Sequence, residues 1–145
     1  MSEVPWKIVS FQNVRTPGKP GLLTIVEPAK IAAGFFPNDA APRVYWIRND
    51  GSDWITRGGH YHPEGGKREL LVALAGRIRF ELHAEGVCGD VWLDRPELGL
   101  LIPSGVWHRL QLSPGALLLS IASTLYRPDE SVSAKPCACD SSESS

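Results

Sequence analysis

The segment ELLVALAGRIRFELH, residues 69–83, decides the class of fold. Its first half, Glu69–Leu74, is mostly apolar, the tripeptide Ala75-Gly76-Arg77 has the composition of a turn, and Ile78–His83 alternates apolar with polar residues. Alternation with a period of two is typical of a β-strand that buries one face. The segment therefore predicts two strands joined by a tight turn.

Similar short segments, separated by turns rich in Gly, Pro, Asn and Asp, flank this pair on both sides. They are residues 6–10, 22–26, 43–48, 55–62, 91–93, 100–102, 106–112 and 116–123. Many short strands with almost no helical periodicity predict an all-β protein, either a sandwich or an antiparallel barrel. Residues 11–21 and 85–90 are expected to be loop and turn, and residues 27–42 have room for one helical turn. We expect residues 22–26, Trp46 and Trp107 to be buried, and His83 to be exposed.

Length and composition indicate one globular domain without an obvious polyanionic partner. A chain of 145 residues is long enough for a single core. Its net charge is −1 and it has no basic block, which argues against nucleic-acid binding. From Pro128 the sequence becomes polar, serine-rich and acidic. We therefore predict a domain over residues 1–127 and a disordered tail over residues 128–145.

The sequence offers no signal for a membrane or for secretion. No apolar run approaches the roughly 18 residues of a membrane span, and the N-terminus lacks the basic-then-apolar pattern of a signal peptide. The three cysteines are Cys88, Cys137 and Cys139, and an odd number without a secretion signal argues against a disulfide framework. These features predict a cytoplasmic protein.

The motif RGGHYH, residues 57–62, contains two of the four histidines of the chain. In an extended segment, residues two apart point to the same side, so His60 and His62 are expected on one face and Tyr61 on the other. Exposed strand histidines would give the same pattern, and the motif alone does not separate a site from a surface.

A second motif, PSGVWH at residues 103–108, strengthens the first. Together with His60, His62, Glu69 and Gly76, it resembles the two signature motifs of the cupin superfamily, HxH…E-x₆-G and PxGxxH. The gap between His62 and Glu69 is longer than usual, and the expected Asn after His108 is missing. The resemblance implies an antiparallel jelly roll, or β-barrel, of the double-stranded β-helix type.

Residues 43–126 resemble a narrower group within this clan, the nucleotide-sugar 3,4-ketoisomerases. The matching segments are RVYWI, RGGHYH, ELLVALAGRIRFEL, DRPELGLLIPSGVWHRL and LLLSIASTLY. The group usually reads RG-x-HAHK, whereas this chain has Tyr61 in place of Ala, Pro63 in place of Lys, and extra residues before Glu69.

This resemblance implies a cofactor-free, metal-independent isomerisation of a dTDP-4-keto-6-deoxyhexose to its 3-keto isomer through an enediol. It places His62 as the base that moves the proton and His60 as its partner, and imidazole suits the task because it titrates near neutrality. Arg57 is expected to hold negative charge on the enediolate or the diphosphate. The remaining substrate-binding candidates are Arg43, Tyr45, Glu69 and His108. The group also implies a homodimer that exchanges its N-terminal strand, residues 4–12.

Two other functions are compatible with the sequence. His60, His62, Glu69 and His108 could form the three-histidine, one-carboxylate set of a metal-dependent cupin enzyme such as a dioxygenase. A cupin that binds a sugar or another small ligand without turnover is the third possibility.

Overall fold

The computed structural model describes residues 4–126 and 131–133. These residues form β-strands joined by turns and longer loops, one α-helical turn at Pro28–Ile31 (α1) and one 3₁₀ turn at Pro37–Asp39. The strands are β1 (Lys7–Ser10), β2 (Gln12–Val14), β3 (Leu23–Ile25), β4 (Arg43–Arg48), β5 (Ile55–His60), β6 (Glu69–Ala75), β7 (Ile78–Ala84), β8 (Val87–Leu93), β9 (Leu98–Ile102), β10 (Trp107–Leu112) and β11 (Leu117–Ala122). In the described part of the chain, no helix is long and apolar enough to cross a membrane.

The strands build two antiparallel sheets and a separate hairpin. The first sheet has the order β1–β9–β6–β11–β4, and the second has the order β5–β10–β7–β8. Strands β2 and β3 pair only with each other. Apart from β2–β3, most neighbours in a sheet are distant in sequence, as expected for a jelly roll. The all-β, antiparallel prediction is confirmed.

The main core lies between the two sheets. Because side chains alternate along a strand, Leu71 and Ala73 of β6 face inward and meet Phe80 and Leu82 of β7 in one buried cluster. Full burial of such side chains contributes roughly 1.5–3 kcal/mol each, which makes this cluster the main source of stability.

A second core covers the outer face of the five-stranded sheet. Leu70 and Val72, on the opposite face of β6, pack with Phe11 and Phe36, and the latter belongs to the segment that contains α1. Strand β6 is therefore buried on both faces, which explains why its sequence is an apolar run rather than an alternation.

The turn between β6 and β7 depends on Gly76. Its φ is +71°, and a Cβ at this position would lie 2.6 Å from Cα of Ala116. Only glycine combines that backbone conformation with so close an approach. The predicted Ala75-Gly76-Arg77 turn is found where the sequence placed it.

Several local predictions are wrong. Residues 11–21 contain β2, and the turn at 85–90 is shorter because β8 begins at Val87. Residues 22–26 are not buried, since Leu22 and Leu23 are 46% and 56% exposed on the two-stranded hairpin of β2 and β3.

The burial of two tryptophans and a histidine agrees only in part with the sequence prediction. Trp107 is buried as expected, but Trp46 is 64% exposed because it lies on the outward face of the edge strand β4. His83 was expected at the surface and is buried, because its Nε2 atom lies 2.8 Å from a carboxylate oxygen of Glu81 and its ring packs edge-on against Trp107.

Part of the segment predicted as a tail lies beside the second sheet. Val132 and Tyr61 exchange two backbone hydrogen bonds of 2.9 Å, and the indole N–H of Trp107 donates to the Ser133 carbonyl. The rest of the predicted tail, residues 128–130 and 134–145, lies outside the described residues, as do two of the three cysteines. The third, Cys88, is in a disulfide bond, contrary to the expectation from the cysteine count.

Candidate active site

A cavity of about 620 Å³ is lined by residues of both sheets. This volume is in the range of pockets that bind small molecules. All residues that the sequence analysis selected line this one cavity: Arg43, Tyr45, Arg57, His60, His62, Glu69 and His108.

A β-bulge brings two of these residues to the same side of β5. Arg57 and His60 are three positions apart, so a regular strand would point them to opposite faces. The pairing of β5 with β10 shifts register between His108 and Arg109, which adds one residue on the β5 side. Gly58 lies in this bulge with a φ of +82°, and a Cβ there would approach the His108 carbonyl oxygen to 2.9 Å. The Gly-Gly pair therefore directs both side chains into the cavity.

The two sequence motifs are joined by backbone contacts. The Gly105 N–H donates a 2.6 Å hydrogen bond to the His62 carbonyl, and His108 is the register partner of His60. The PSGVWH loop thus fixes the backbone that carries the histidines of the RGGHYH motif.

Three imidazoles form the wall made by β5, β10 and the residues after β5. The His60 ring centroid lies 5.1 Å from that of His62 and 5.1 Å from that of His108. The His108 Nδ1 atom lies 3.0 Å from the Val106 carbonyl, so Nδ1 carries the proton and Nε2 holds the lone pair in the neutral ring. Both ring nitrogens of His62 are buried, and neither has a hydrogen-bond partner among the described residues.

The surroundings keep these imidazoles neutral. Burial lowers the pKa of His62 to about 4, and the positive charge of Lys67 acts in the same direction. Burial also lowers the pKa of His60 to about 4, helped by the charges of His108 and Lys67. The pKa of His108 is lowered chiefly by its burial. At neutral pH the wall therefore presents unprotonated rings.

The opposite wall is built around Glu69, whose side chain points inward from β6. The Tyr45 hydroxyl donates to its Oε1 atom at 2.5 Å, and the Ser120 hydroxyl lies 3.3 Å from the same oxygen. The Lys67 ammonium forms an ion pair with Oε1 at 2.7 Å, and its side chain is only 11% exposed. The Oε1 atom of Glu69 therefore has three partners inside the protein.

Charge and hydrogen bonding hold Glu69 ionised. Burial opposes its ionisation, but the charges of His108 and Lys67 and the hydrogen bonds from Lys67 and Tyr45 outweigh burial and lower its pKa to about 2. Because His108 is itself neutral at neutral pH, Lys67 is the cation that faces the carboxylate there. Burial and the neighbouring Glu69 raise the pKa of Tyr45 above its usual range, so the phenol stays protonated.

Lys67 lines the cavity and was missed by the sequence analysis. It lies in a loop after Gly65-Gly66, where no periodicity assigns a direction to a side chain. The available signal was the pair of departures from the family motif: Pro63 replaces the usual Lys, and extra residues precede Glu69.

Two arginines lie at the cavity as well. The guanidinium of Arg43 lies 5.3 Å from the ring centroid of Tyr45 and 5.7 Å from that of Tyr126, and its buried Nε has no partner among the described residues. Arg57 also lines the cavity, on β5, and is exposed. Both offer planar, charged donors of the kind that bind phosphate oxygens.

The four-residue metal set considered from the sequence is only partly assembled. The ligand atoms of His60, His62 and His108 lie within 4.8 Å of one another, close enough for one ion. Glu69 does not belong to this group, because its Oε1 atom is engaged by Lys67 and Tyr45 and its Oε2 atom lies 3.8 Å from Nε2 of His108. The imidazoles fit a divalent ion, and the carboxylate does not complete the set.

Two packed antiparallel sheets with an inward-facing HxH pair and a PxGxxH histidine define a protein of the cupin type. Within that class, residues 6–135 match the family described as "FdtA: WxcM-like, C-terminal". Because the match covers most of the chain, the protein belongs to this family. The resemblance stated from the sequence motifs is confirmed.

Known proteins similar to the chain carry related names. The curated TDP-4-oxo-6-deoxy-alpha-D-glucose-3,4-oxoisomerase from Aneurinibacillus thermoaerophilus is 31% identical over 85 residues, which are 58% of this chain and 59% of that protein. The chain thus matches less than two thirds of the length of this relative. A 3,4-ketoisomerase from Helicobacter canadensis superposes with a TM-score of 0.76 at 26% identity, over 91% of this chain and 92% of the other.

A structure solved with a bound nucleotide is also similar. The sugar 3,4-ketoisomerase QdtA from Thermoanaerobacterium thermosaccharolyticum, in complex with TDP, superposes with a TM-score of 0.69 at 25% identity. The superposition covers 89% of this chain and 88% of that one.

Proposed function

We propose that the protein is a 3,4-ketoisomerase that converts a dTDP-4-keto-6-deoxyhexose into its 3-keto isomer. The observation that carries the proposal is His62, a buried imidazole at the cavity whose two nitrogens have no partner among the described residues. A buried polar group without a partner costs stability, and its retention is explained when a ligand supplies the partner. The names and folds of the similar proteins favour this activity over the metal-dependent and non-catalytic alternatives.

The reaction needs a base that is neutral at neutral pH. The C4 carbonyl acidifies the hydrogen on C3, and His62 accepts this proton while the C3–H electrons form the C3=C4 double bond and the carbonyl π electrons move to the C4 oxygen, which gives an enediolate. The C3 hydroxyl then loses its proton to become a carbonyl, and C4 receives a proton. One hydrogen has moved between carbons and one between oxygens, and no electrons are gained or lost overall.

The other residues take roles that follow from their positions. His60 lies against both His62 and His108, and we assign it to the proton transfers beside the base. His108 presents its Nε2 lone pair to the sugar, and Tyr45 and Glu69 form the facing wall. Arg43 and Arg57 are assigned to the diphosphate of the nucleotide.

The direct test follows the protons. The protein is incubated with dTDP-4-keto-6-deoxyglucose in deuterated water, and deuterium at C3 and C4 is measured by NMR. We expect a 3-keto product with deuterium at C4. Saturable binding without deuterium incorporation or product would contradict the activity and leave a sugar-binding protein. Activity that is lost with a chelator and restored by iron or zinc would instead support the metal-dependent alternative.

We also propose a homodimer that exchanges the N-terminal strand, residues 4–12. Among the described strands, β1 is at the edge of its sheet and pairs with β9 alone, and Ile8 on β1 is 50% exposed. An exchanged strand would keep the same pairing with β9 of the other protomer, and it would cover an edge that otherwise invites association. Light scattering should give twice the mass of one chain, and a monomer mass at working concentration would contradict the proposal.

A further inference from the structure

Lys67 is a mostly buried cation in the wall of the cavity. Its side chain is 11% exposed, its ammonium pairs with Glu69 at 2.7 Å, and the same nitrogen lies 5.3 Å from the ring centroid of Tyr45. A lysine is seldom so buried without a specific use, because desolvation of its charge is costly.

The position of Lys67 lets it act on both walls. An ammonium has three N–H donors, and one is directed at Glu69. The charge of Lys67 also reaches His60, His62 and His108, whose pKa values it lowers. Arg43, in comparison, is held over the rings of Tyr45 and Tyr126.

The chemistry of the site creates a need for such a cation. Removal of the C3 proton places negative charge on the oxygen atoms of the enediolate. Glu69 is a permanent anion on the wall that faces the three imidazoles, and without a counter-ion it would repel that charge. The imidazoles are neutral at the start of the reaction and supply no positive charge.

We propose that Lys67 is a further catalytic residue, whose ammonium donates to the enediolate oxygen while neutralising Glu69. This inference rests on the proposed function and extends it, because Lys67 stabilises the intermediate that His62 creates. A fixed donor at a developing oxyanion acts mainly in the transition state, so its loss lowers kcat more than it raises KM.

Lys67 stands later in the sequence than the lysine of the family motif. Family motifs usually have Lys directly after the second histidine, where this chain has Pro63. In this chain, the longer loop before Glu69 places Lys67 at the cavity, two residues before the carboxylate that it pairs with.

The test compares Lys67→Met with the matched control Lys30→Met in steady-state kinetics on dTDP-4-keto-6-deoxyglucose. Lys30 also forms an ion pair, with Glu27, but it is 78% exposed and lies outside the cavity. We expect Lys67→Met to lower kcat roughly 10²–10³-fold with KM within about threefold, as for loss of an oxyanion donor. Lys30→Met should leave both constants unchanged. Lys67→Arg, which keeps the charge, should recover part of the loss.

A double variant separates the charge of Lys67 from its structural contribution. If Lys67 offsets Glu69, the variant Lys67→Met/Glu69→Gln should turn over faster than Lys67→Met, because the uncompensated anion is gone. If Lys67→Met does not fold, Lys67→Gln keeps a hydrogen bond to Glu69 and should show the same loss of kcat.

The possible outcomes are distinct. A folded Lys67→Met or Lys67→Gln protein with kcat within about threefold of wild type overturns the role of Lys67 and leaves the proposed function intact. A loss confined to KM also overturns it. A wild-type protein that gives no isomerisation overturns the proposed function, and the role of Lys67 falls with it.

Discussion

Glu69 and His62, on the two walls of the cavity, differ in how their polar atoms are satisfied. On the β4–β6 side, the Glu69 carboxylate is bonded by Tyr45, Ser120 and Lys67 within the protein. On the β5–β10 side, His62 has two buried nitrogens without a partner among the described residues. Internally satisfied groups hold a geometry, whereas an unsatisfied one has its bonding capacity free for a ligand. We therefore assign the balance of charge to the wall that carries Glu69 and the proton transfer to the wall that carries His62.

The strongest test of the comparison removes basicity from the unsatisfied wall. His62→Asn keeps a similar size and some hydrogen bonding, and we expect turnover to fall about 10²–10⁴-fold with little change in substrate binding. The matched control is His83→Asn, because His83 is the histidine that lies outside the cavity. Near-normal turnover by His62→Asn in steady-state assays would place the base elsewhere.

A substitution of Glu69, on the satisfied wall, should chiefly lower the stability of the fold. Glu69→Gln leaves the buried Lys67 ammonium without its counter-ion, so we expect the free energy of unfolding to fall by about 3 kcal/mol. Glu27→Gln breaks the exposed pair with Lys30 and should cost less than about 1 kcal/mol. Urea denaturation measures both. Equal losses would mean that the cavity pair contributes no more than a surface pair.

The bulge gives a test of the geometry of the unsatisfied wall. Gly58→Ala meets both a positive φ and the His108 carbonyl, whereas Gly86→Ala meets only a positive φ, with no atom within 4 Å of the new Cβ. We expect Gly86→Ala to cost about 1 kcal/mol and Gly58→Ala up to about 3 kcal/mol. Gly58→Ala should also lower kcat/KM roughly tenfold or more, because it displaces the His60 backbone. If Gly58→Ala and Gly86→Ala changed stability and activity to the same extent, the close approach of residue 58 to the His108 carbonyl would be unimportant.

The sequence predicted the fold and most of the cavity because both depend on short-range patterns. The period of two placed His60 and His62 on one side, and the inward alternation of Arg43 and Tyr45 on β4 follows from the same rule. Glu69 and His108 were assigned through the resemblance to the cupin motifs, in which the glutamate precedes the turn glycine, here Gly76, by six intervening residues.

What the sequence missed depends on contacts between distant segments. Lys67 enters the cavity because a loop folds back to Glu69, and loops have no periodicity from which to predict direction. His83 is buried through its neighbours Glu81 and Trp107, although its position at a strand end suggested the surface. Trp46 is exposed because β4 is an edge strand, and strand order is not encoded in the alternation of one strand.

The smallest expected effect is the change of activity with pH. It depends on the protonation of His62 on one wall and of Glu69 on the other. The base must be neutral to act, and burial with Lys67 lowers the pKa of His62 to about 4. At pH 5 about 90% of such a ring is neutral, whereas a free imidazole with a pKa of about 6.5 would be only about 3% neutral. Glu69, with a pKa of about 2, stays ionised over the same range.

We therefore expect kcat/KM of the wild-type protein to change less than about twofold between pH 8 and pH 5, and to fall only as the pH approaches 4. Circular dichroism at each pH checks that the fold persists. A roughly thirtyfold loss by pH 5, centred near pH 6.5, would show that the base titrates like a solvated imidazole. In that case neither burial nor Lys67 would be setting its protonation, and the two walls would not be coupled as the cavity geometry implies.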